Sequence, residues 1–255
     1  MKRIFLPQTH PNCSPRKPDL NPDQSGLLRL TKDYLRKQVS GKKFENEVSL
    51  HLKESFKEDV LFDNMYFETG KYSNKLKIYQ TIQIDHILVS KEGVFCIEDK
   101  YLSNDIYREV SGGAQAKSWK TKRYPGKRGS ANEINGLKQN YYHFSFLKEL
   151  FEYNEMNVPI FQMTILGGID RSKIKVQSFI DANLVDTTEY VDRIKYIKKR
   201  NHIGIDVNSV CTVLKQWECT TKGREKLHIA YIRNINKKAL PKKCKCELRQ
   251  LRLND

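Results

Sequence analysis

The stretch from Thr81 to Tyr101, TIQIDHILVSKEGVFCIEDKY, sets two strand-length apolar blocks on either side of Ser90-Lys91-Glu92-Gly93, which is the pattern of a β-hairpin. Within those blocks stand Asp85, Glu98 and Lys100. A charge inside an apolar strand is costly unless it is paired, hydrogen-bonded or bound to an ion. Any fold this chain adopts must therefore give these three groups partners.

Strand register narrows the options. If Lys91-Glu92 is a two-residue loop, Ser90 faces Gly93, Asp85 lies across from Glu98 and Gln83 across from Lys100. A turn centred on Glu92-Gly93 would put Asp85 across from Lys100 instead. Either way, alternation with a period of two keeps Asp85, Glu98 and Lys100 on one face and turns the Asp99 carboxylate to the other. Opposed carboxylates repel by some tenths of a kcal/mol to about 1 kcal/mol, and a divalent cation reverses that sign. Hard oxygen donors suit Mg2+ or Mn2+. A lysine beside them could orient water, act as a base or steady charge developing on a phosphate. The plain structural alternative is an Asp/Glu/Lys salt-bridge cluster at the wet end of a hairpin.

The strings Gln83-Ile84-Asp85-His86-Ile87-Leu88-Val89-Ser90 and Gly93-Val94-Phe95-Cys96-Ile97-Glu98-Asp99-Lys100 resemble the central motif of the nuclease-related domain (NERD) family, a branch of the PD-(D/E)XK nuclease superfamily. Three flanking matches follow the expected order. Gly41-Lys42-Lys43-Phe44-Glu45-Asn46-Glu47-Val48 is similar to the family's opening GxxGExxV helix. Trp119 matches a tryptophan after the hairpin. Asn135-Gly136-Leu137-Lys138-Gln139-Asn140-Tyr141-Tyr142-His143 resembles its NPLxQNxxH helix. The likeness runs from about Ser40 to Gly168, and D…ExK alone would be far less specific than the ordered set.

This resemblance implies a metal-dependent phosphodiesterase. Asp85 and Glu98, with the backbone carbonyl of Asp99, would bind the ion, and Lys100 would position the attacking water. Glu45, or Glu47, would be the helix carboxylate, and Gln139 would reach the bound water or the phosphate. Three departures stand out: Phe44 occupies a usual glycine, Gly136 a usual proline, and between Tyr101 and Val110 the glycine-bounded strand that often follows the ExK is missing.

The formal charge of +16 over 255 residues, with a pI near 9.5, points to a polyanionic partner. Between Ser111 and Ser130, Lys117, Lys120, Lys122, Arg123, Lys127 and Arg128 occur with no acidic residue, interleaved with Trp119 and Tyr124. That composition reads as a basic loop suited to phosphate contacts and base stacking, with Trp119 itself packed on the core. Nucleic acid, DNA before RNA, is the expected partner.

The remaining sequence supplies the frame. Helical spacing is expected from Asp23 to Gln38, broken at Gly41 from a second helix over Glu45 to Lys57, and again from Ala131 to Phe151. Strands are expected at Val60–Phe67 and Pro159–Leu166, then a further strand over Lys173–Ile180. Helices over Thr187–Lys199 and Asp206–Trp217 and a last strand at Leu227–Ile232 complete the order. The expected fold class is α/β, a restriction-endonuclease-like αβββαβ core with a mixed central sheet flanked by helices. Residues 1–38 read as an arm and short helix, 39–200 as the nuclease core and 201–255 as a basic extension. Charged residues interrupt every apolar run well short of the ~18 residues of a membrane span, and no signal-peptide block opens the chain, so a cytoplasmic protein is expected. Cys96 reads as a free buried thiol. Two classes remain open: a metal-dependent nuclease, or a non-catalytic nucleic-acid-binding module of the same fold.

Overall fold

The computed structural model describes residues 27–73, 78–126, 132–177, 183–220, 224–225 and 228. The apolar blocks around Lys91-Glu92 form β2 (Ile78–Ser90) and β3 (Gly93–Tyr101), antiparallel and paired from Ser90–Gly93 to His86–Ile97. The two-residue loop therefore sets the register, and the next pair in the count is Asp85 with Glu98. Gly93 closes the turn at φ 142°, where an added Cβ would lie 2.7 Å from the Pro159 carbonyl oxygen.

Before the hairpin come α1 (Leu27–Ser55) and β1 (Val60–Ser73). One continuous helix replaces the two expected on either side of Gly41. A mid-helix glycine costs roughly 1 kcal/mol relative to alanine. Phe44, Val48 and Leu52, spaced four apart and buried in the core, outweigh that loss. After the hairpin lie β4 (Tyr107–Gly113), β5 (Ser118–Arg123), β6 (Asn132–Ile134), α2 (Gly136–Tyr153) and β7 (Ile160–Gly167). A 3-10 turn at Arg171–Lys173 leads into β8 (Ile174–Gln177), then β9 (Leu184–Asp186), α3 (Tyr190–Arg200) and α4 (Val207–Trp217).

The main sheet has the order β1-β2-β3-β7-β9, with β3–β7 and β7–β9 parallel. It is thus mixed. On one of its faces α1 and α3 bury Phe44, Val48, Leu52, Tyr190 and Ile194 against Leu88, Phe95, Ile97 and Met163. On the other lies α2. With its helices the molecule has the restriction-endonuclease-like α/β architecture that the order of segments predicts.

Several expectations need correction. The basic stretch from Ser111 is largely strand, because β6-β5-β4-β8 form a second mixed sheet. Trp119 of β5 is fully buried with Leu102, Tyr107, Val110 and Leu166, and this anchors the strand while its lysines point outward. A strand does follow the ExK: β4 starts at Tyr107 and ends in Gly112-Gly113. Helix α2 starts at Gly136 rather than Ala131, because Asn135 caps it by accepting from Lys138 N. Of the expected last strand, only His228 is described and it is helical; Lys127 and Arg128 lie outside the described residues.

The described chain divides into two units, residues 27–65 with 84–216, and residues 66–83 with 217–228. In the smaller unit the outer half of β1 meets the segment after α4, with Phe67 bridging Glu218 and Cys219 N donating to the Tyr66 carbonyl at 2.7 Å. Among the described residues no helix is long and apolar enough to cross a membrane.

Candidate active site

The hairpin register brings Asp85, Glu98 and Lys100 to the face covered by α2. Glu98 is fully buried and Asp85 nearly so. The Lys100 ammonium forms an ion pair with Glu98 Oε1. His143 Nδ1 of α2 stands 3.2 Å from Glu98 Oε2, near but not aligned as a hydrogen bond, so Oε2 is a buried oxygen without an aligned donor. Asp85 Oδ2 accepts from the Asp99 backbone N–H at 2.9 Å.

These environments drive the two carboxyls apart. Burial, then the neighbouring charge of Glu98, pushes Asp85 well above the usual carboxylate range, against the pull of Lys100. Burial also works against ionised Glu98, but Lys100 and His143 outweigh it and hold this carboxyl below its ordinary value. Lys100 gains from the same pairing: desolvation is overcome by Glu98 and Asp85, and its ammonium is favoured.

Behind this face, the Asp99 carboxylate does point the other way, to His86. The imidazole is fully buried between two acids, Nδ1 2.7 Å from Asp63 Oδ1 and Nε2 2.9 Å from Asp99 Oδ2. Burial alone would disfavour the imidazolium, but the two acids raise His86 to about 10. Asp63 is lowered, because hydrogen bonds from His86, Lys53 and Ser49 overcome its burial. Asp99, more deeply buried, is raised to about 6 despite His86. His86 was read only as part of a motif string. Its partner on β1 is a residue that no hairpin register could supply.

The helices complete the site. Glu45 of α1 pairs with Lys42 at 3.3 Å, and its charge acts on both Asp85 and Asp99. Glu47 is exposed and paired with Lys43 at 3.6 Å. Of the two candidates for the helix carboxylate, Glu45 is thus the one whose field reaches the hairpin acids. Phe44, where the family usually has glycine, packs its ring on Gly167, a position where any Cβ would collide with it. On α2, Asn140 donates to the carbonyls of Cys96 and Met163 at 3.1 and 2.6 Å and ties the helix to β3 and β7. Half-buried Gln139 lies one turn before His143 on the same helix. Gly136 packs so tightly on the site that an added Cβ would sit 2.9 Å from Lys100 Cγ and 2.9 Å from Thr164 Cγ2. Asn140 and His143 were legible as matched positions of the NPLxQNxxH motif, but their contacts with β3 and β7 were not.

Lys117, Lys120 and Lys122 are exposed. Lys122 and Lys175 both pair with Glu109, at 2.7 and 3.0 Å. Arg123 is half-buried with its guanidinium 5.6 Å from the Tyr107 ring centroid.

Among the described residues no three His, Cys, Asp or Glu side chains are gathered closely enough to cage an ion. The side-chain donors on this face are the carboxylates of Asp85 and Glu98, with Glu98 Oε2 buried and lacking an aligned donor. That set fits a small hard dication, which commonly takes one or two carboxylates and keeps its remaining positions for water and phosphate.

Searches of curated proteins and of solved structures returned no match. The sequence profile of the nuclease-related domain matches residues 40–167, half of the chain, and its span encloses α1 from Ser40, the D…ExK hairpin, the second sheet's β4–β6, α2 and β7. The protein belongs to the nuclease-related domain family.

Proposed function

We propose that this protein is a divalent-metal-dependent nuclease that hydrolyses phosphodiester bonds, with DNA as the expected substrate. One observation carries the reading. Asp85 and Glu98 are buried side by side, shifted in opposite directions, with Lys100 on one of them and Glu98 Oε2 near His143 but without an aligned donor. Burial of ionised Asp85 beside Glu98 opposes folding, whereas a bound cation and a phosphate would use it.

Asp85, Glu98 and the Asp99 carbonyl would hold the ion, Mg2+ or Mn2+. Once bound, the ion would supply Lewis acidity and neutralise charge on the phosphate. Lys100 offers an ammonium to the attacking water or to a phosphate oxygen. His143 keeps Glu98 oriented, and Glu45 adds negative field at the rim. The Gln139 amide would donate to water or phosphate. Phosphates away from the scissile bond would meet Lys117, Lys120, Lys122 and Arg123, with Lys127 and Arg128 beyond the described residues. Residues 39–200 would form the nuclease core, with 1–38 and 201–255 as additions, in a cytoplasmic protein.

Cleavage of single- and double-stranded DNA and RNA, each with Mg2+, Mn2+ or EDTA, tests the proposal. Activity is expected with the dications, absent in EDTA, and reduced at least about 1,000-fold in Asp85→Asn, Glu98→Gln and Lys100→Ala. Binding without cleavage of any substrate, in wild type and variants alike, would replace the nuclease with a non-catalytic binding module.

A further inference from the structure

Helix α3 carries a second concentration of positive charge, on a different element from the segment assigned above to phosphate contacts. Its sequence is YVDRIKYIKKR, and its apolar stripe is already used: Tyr190 and Ile194 are buried in the main core, with Val191 and Ile197 packed against it. The opposite side presents Lys195, Tyr196, Lys199 and Arg200, with Asp192 as its one acid and half-buried Arg193 at its edge. Lys198 is occupied, pairing with Asp59 at 2.5 Å and Glu92 at 3.5 Å. Among the described residues, none of Arg193, Lys195, Lys199 and Arg200 forms an ion pair.

Two features separate this face from an ordinary solvated one. Cations in a helix's last turn complement its dipole, which accounts for Lys199 and Arg200 but not for Arg193 and Lys195 in mid-helix. Tyr196, 46% exposed, has guanidiniums close to its ring from both directions along the helix, Arg193 at 5.3 Å and Arg200 at 4.7 Å from the centroid. Stacking limits the rotamers of both arginines before any ligand arrives, so less entropy is lost when their forks engage phosphate oxygens.

We infer that α3 is a docking surface for the phosphate backbone of nucleic acid, separate from the β4–β5 segment. The inference rests on the nuclease reading for the identity of the polyanion. Eleven residues of helix span about 16 Å, or about five phosphates of one strand at 3.4 Å each. A membrane surface fits poorly, because interfacial helices insert an apolar face and that of α3 is buried in the core.

The test uses full-length protein and a fluorescent 40-base-pair duplex in EDTA, titrated from 50 to 300 mM salt. The variant is Arg193→Gln/Lys195→Gln/Lys199→Gln/Arg200→Gln, whose positions lie outside the core. Its affinity should fall at least about tenfold at 100 mM salt. The slope of log K against log salt should flatten by about 2 to 4, near 0.9 for each lost contact. The melting temperature and kcat should stay within error, with KM raised. A variant whose affinity, slope and KM equal wild type overturns the inference, as does one that loses binding to phosphatidylserine vesicles but not to the duplex. Wild type that binds steeply with salt but never cleaves would refute the nuclease and leave the surface standing. Wild type that cleaves, with an unaffected variant, would do the opposite.

Discussion

Asp85 and Glu98 lie together yet their substitutions should act oppositely on stability. Asp85 is raised mainly by burial and by Glu98, so its ionised form opposes folding, and that penalty grows as pH rises above the unfolded carboxylate value near 3.9. In EDTA, Asp85→Asn should equal or exceed wild-type stability at pH 8 while abolishing cleavage. The amide oxygen can still accept from Asp99 N–H. Glu98→Gln should instead cost about 1–3 kcal/mol, because Lys100 and His143 lose their shared anion. Urea unfolding of both variants decides this; an Asp85→Asn protein less stable than wild type at pH 8 removes the repulsion argument. His86 has the contrary sign. Its folded pKa, about 10, lies above the unfolded value near 6.5. The stabilisation is therefore complete below pH 6.5 and is lost as pH rises to 10, with a slope approaching about 1.4 kcal/mol per pH unit. His86→Gln should start less stable at pH 6 and show a flatter decline to pH 10. Parallel slopes in the two proteins would mean that His86 is neutral in the fold.

Helix α2 holds the site through residues of differing chemistry, and two of them predict different losses. Asn140 supplies both amide hydrogens to buried carbonyls of β3 and β7, so Asn140→Ala should destabilise by about 2–4 kcal/mol through lost bonds and a cavity. Gly136→Ala gains helix propensity but drives a methyl against Lys100 and Thr164. It should reduce cleavage about tenfold or more with little change in melting temperature, since the lysine stem yields more readily than the sheet. Unaltered cleavage would show that Lys100 is not held in position by this contact. The hairpin, β7 and the long α2 were legible in the sequence because apolar periodicity specifies them locally, while two hairpin registers stayed open and the structure takes the one with Ser90 across from Gly93. The second sheet was not. Its β5 reads SWKTKR, where one buried tryptophan fixes the inward face, and its edge partner β8 comes only after α2 and β7. The break expected at Gly41 failed for a related reason, since packing of Phe44, Val48 and Leu52 on the sheet overrode a local propensity.

At the scale of the whole chain, acids of the hairpin stand beside a large excess of cations in the sequence, on β4–β5, on α3 and among the last residues. The sequence made the D…ExK face readable because strand alternation alone groups those three residues. It could not reveal that Asp99 is held from behind by His86 and Asp63, or that Lys122 is neutralised by Glu109, because those partners come from other strands. A net charge of +16 should act mainly on encounter with a polyanion, since long-range attraction speeds association and is screened within about 8–10 Å at 0.10–0.15 M salt. Lys237, Lys238, Lys242 and Lys243 lie outside the described residues and contribute to that field whatever their placement. Replacing all four with glutamine removes four positive charges. Stopped-flow association with a DNA duplex should then slow several-fold at 50 mM salt and by much less at 300 mM, while kcat at saturating substrate stays unchanged. A drop in kcat would place this basic end at the chemistry rather than in the field around it, and an association rate equal to wild type at low salt would show that these charges do not guide the substrate in.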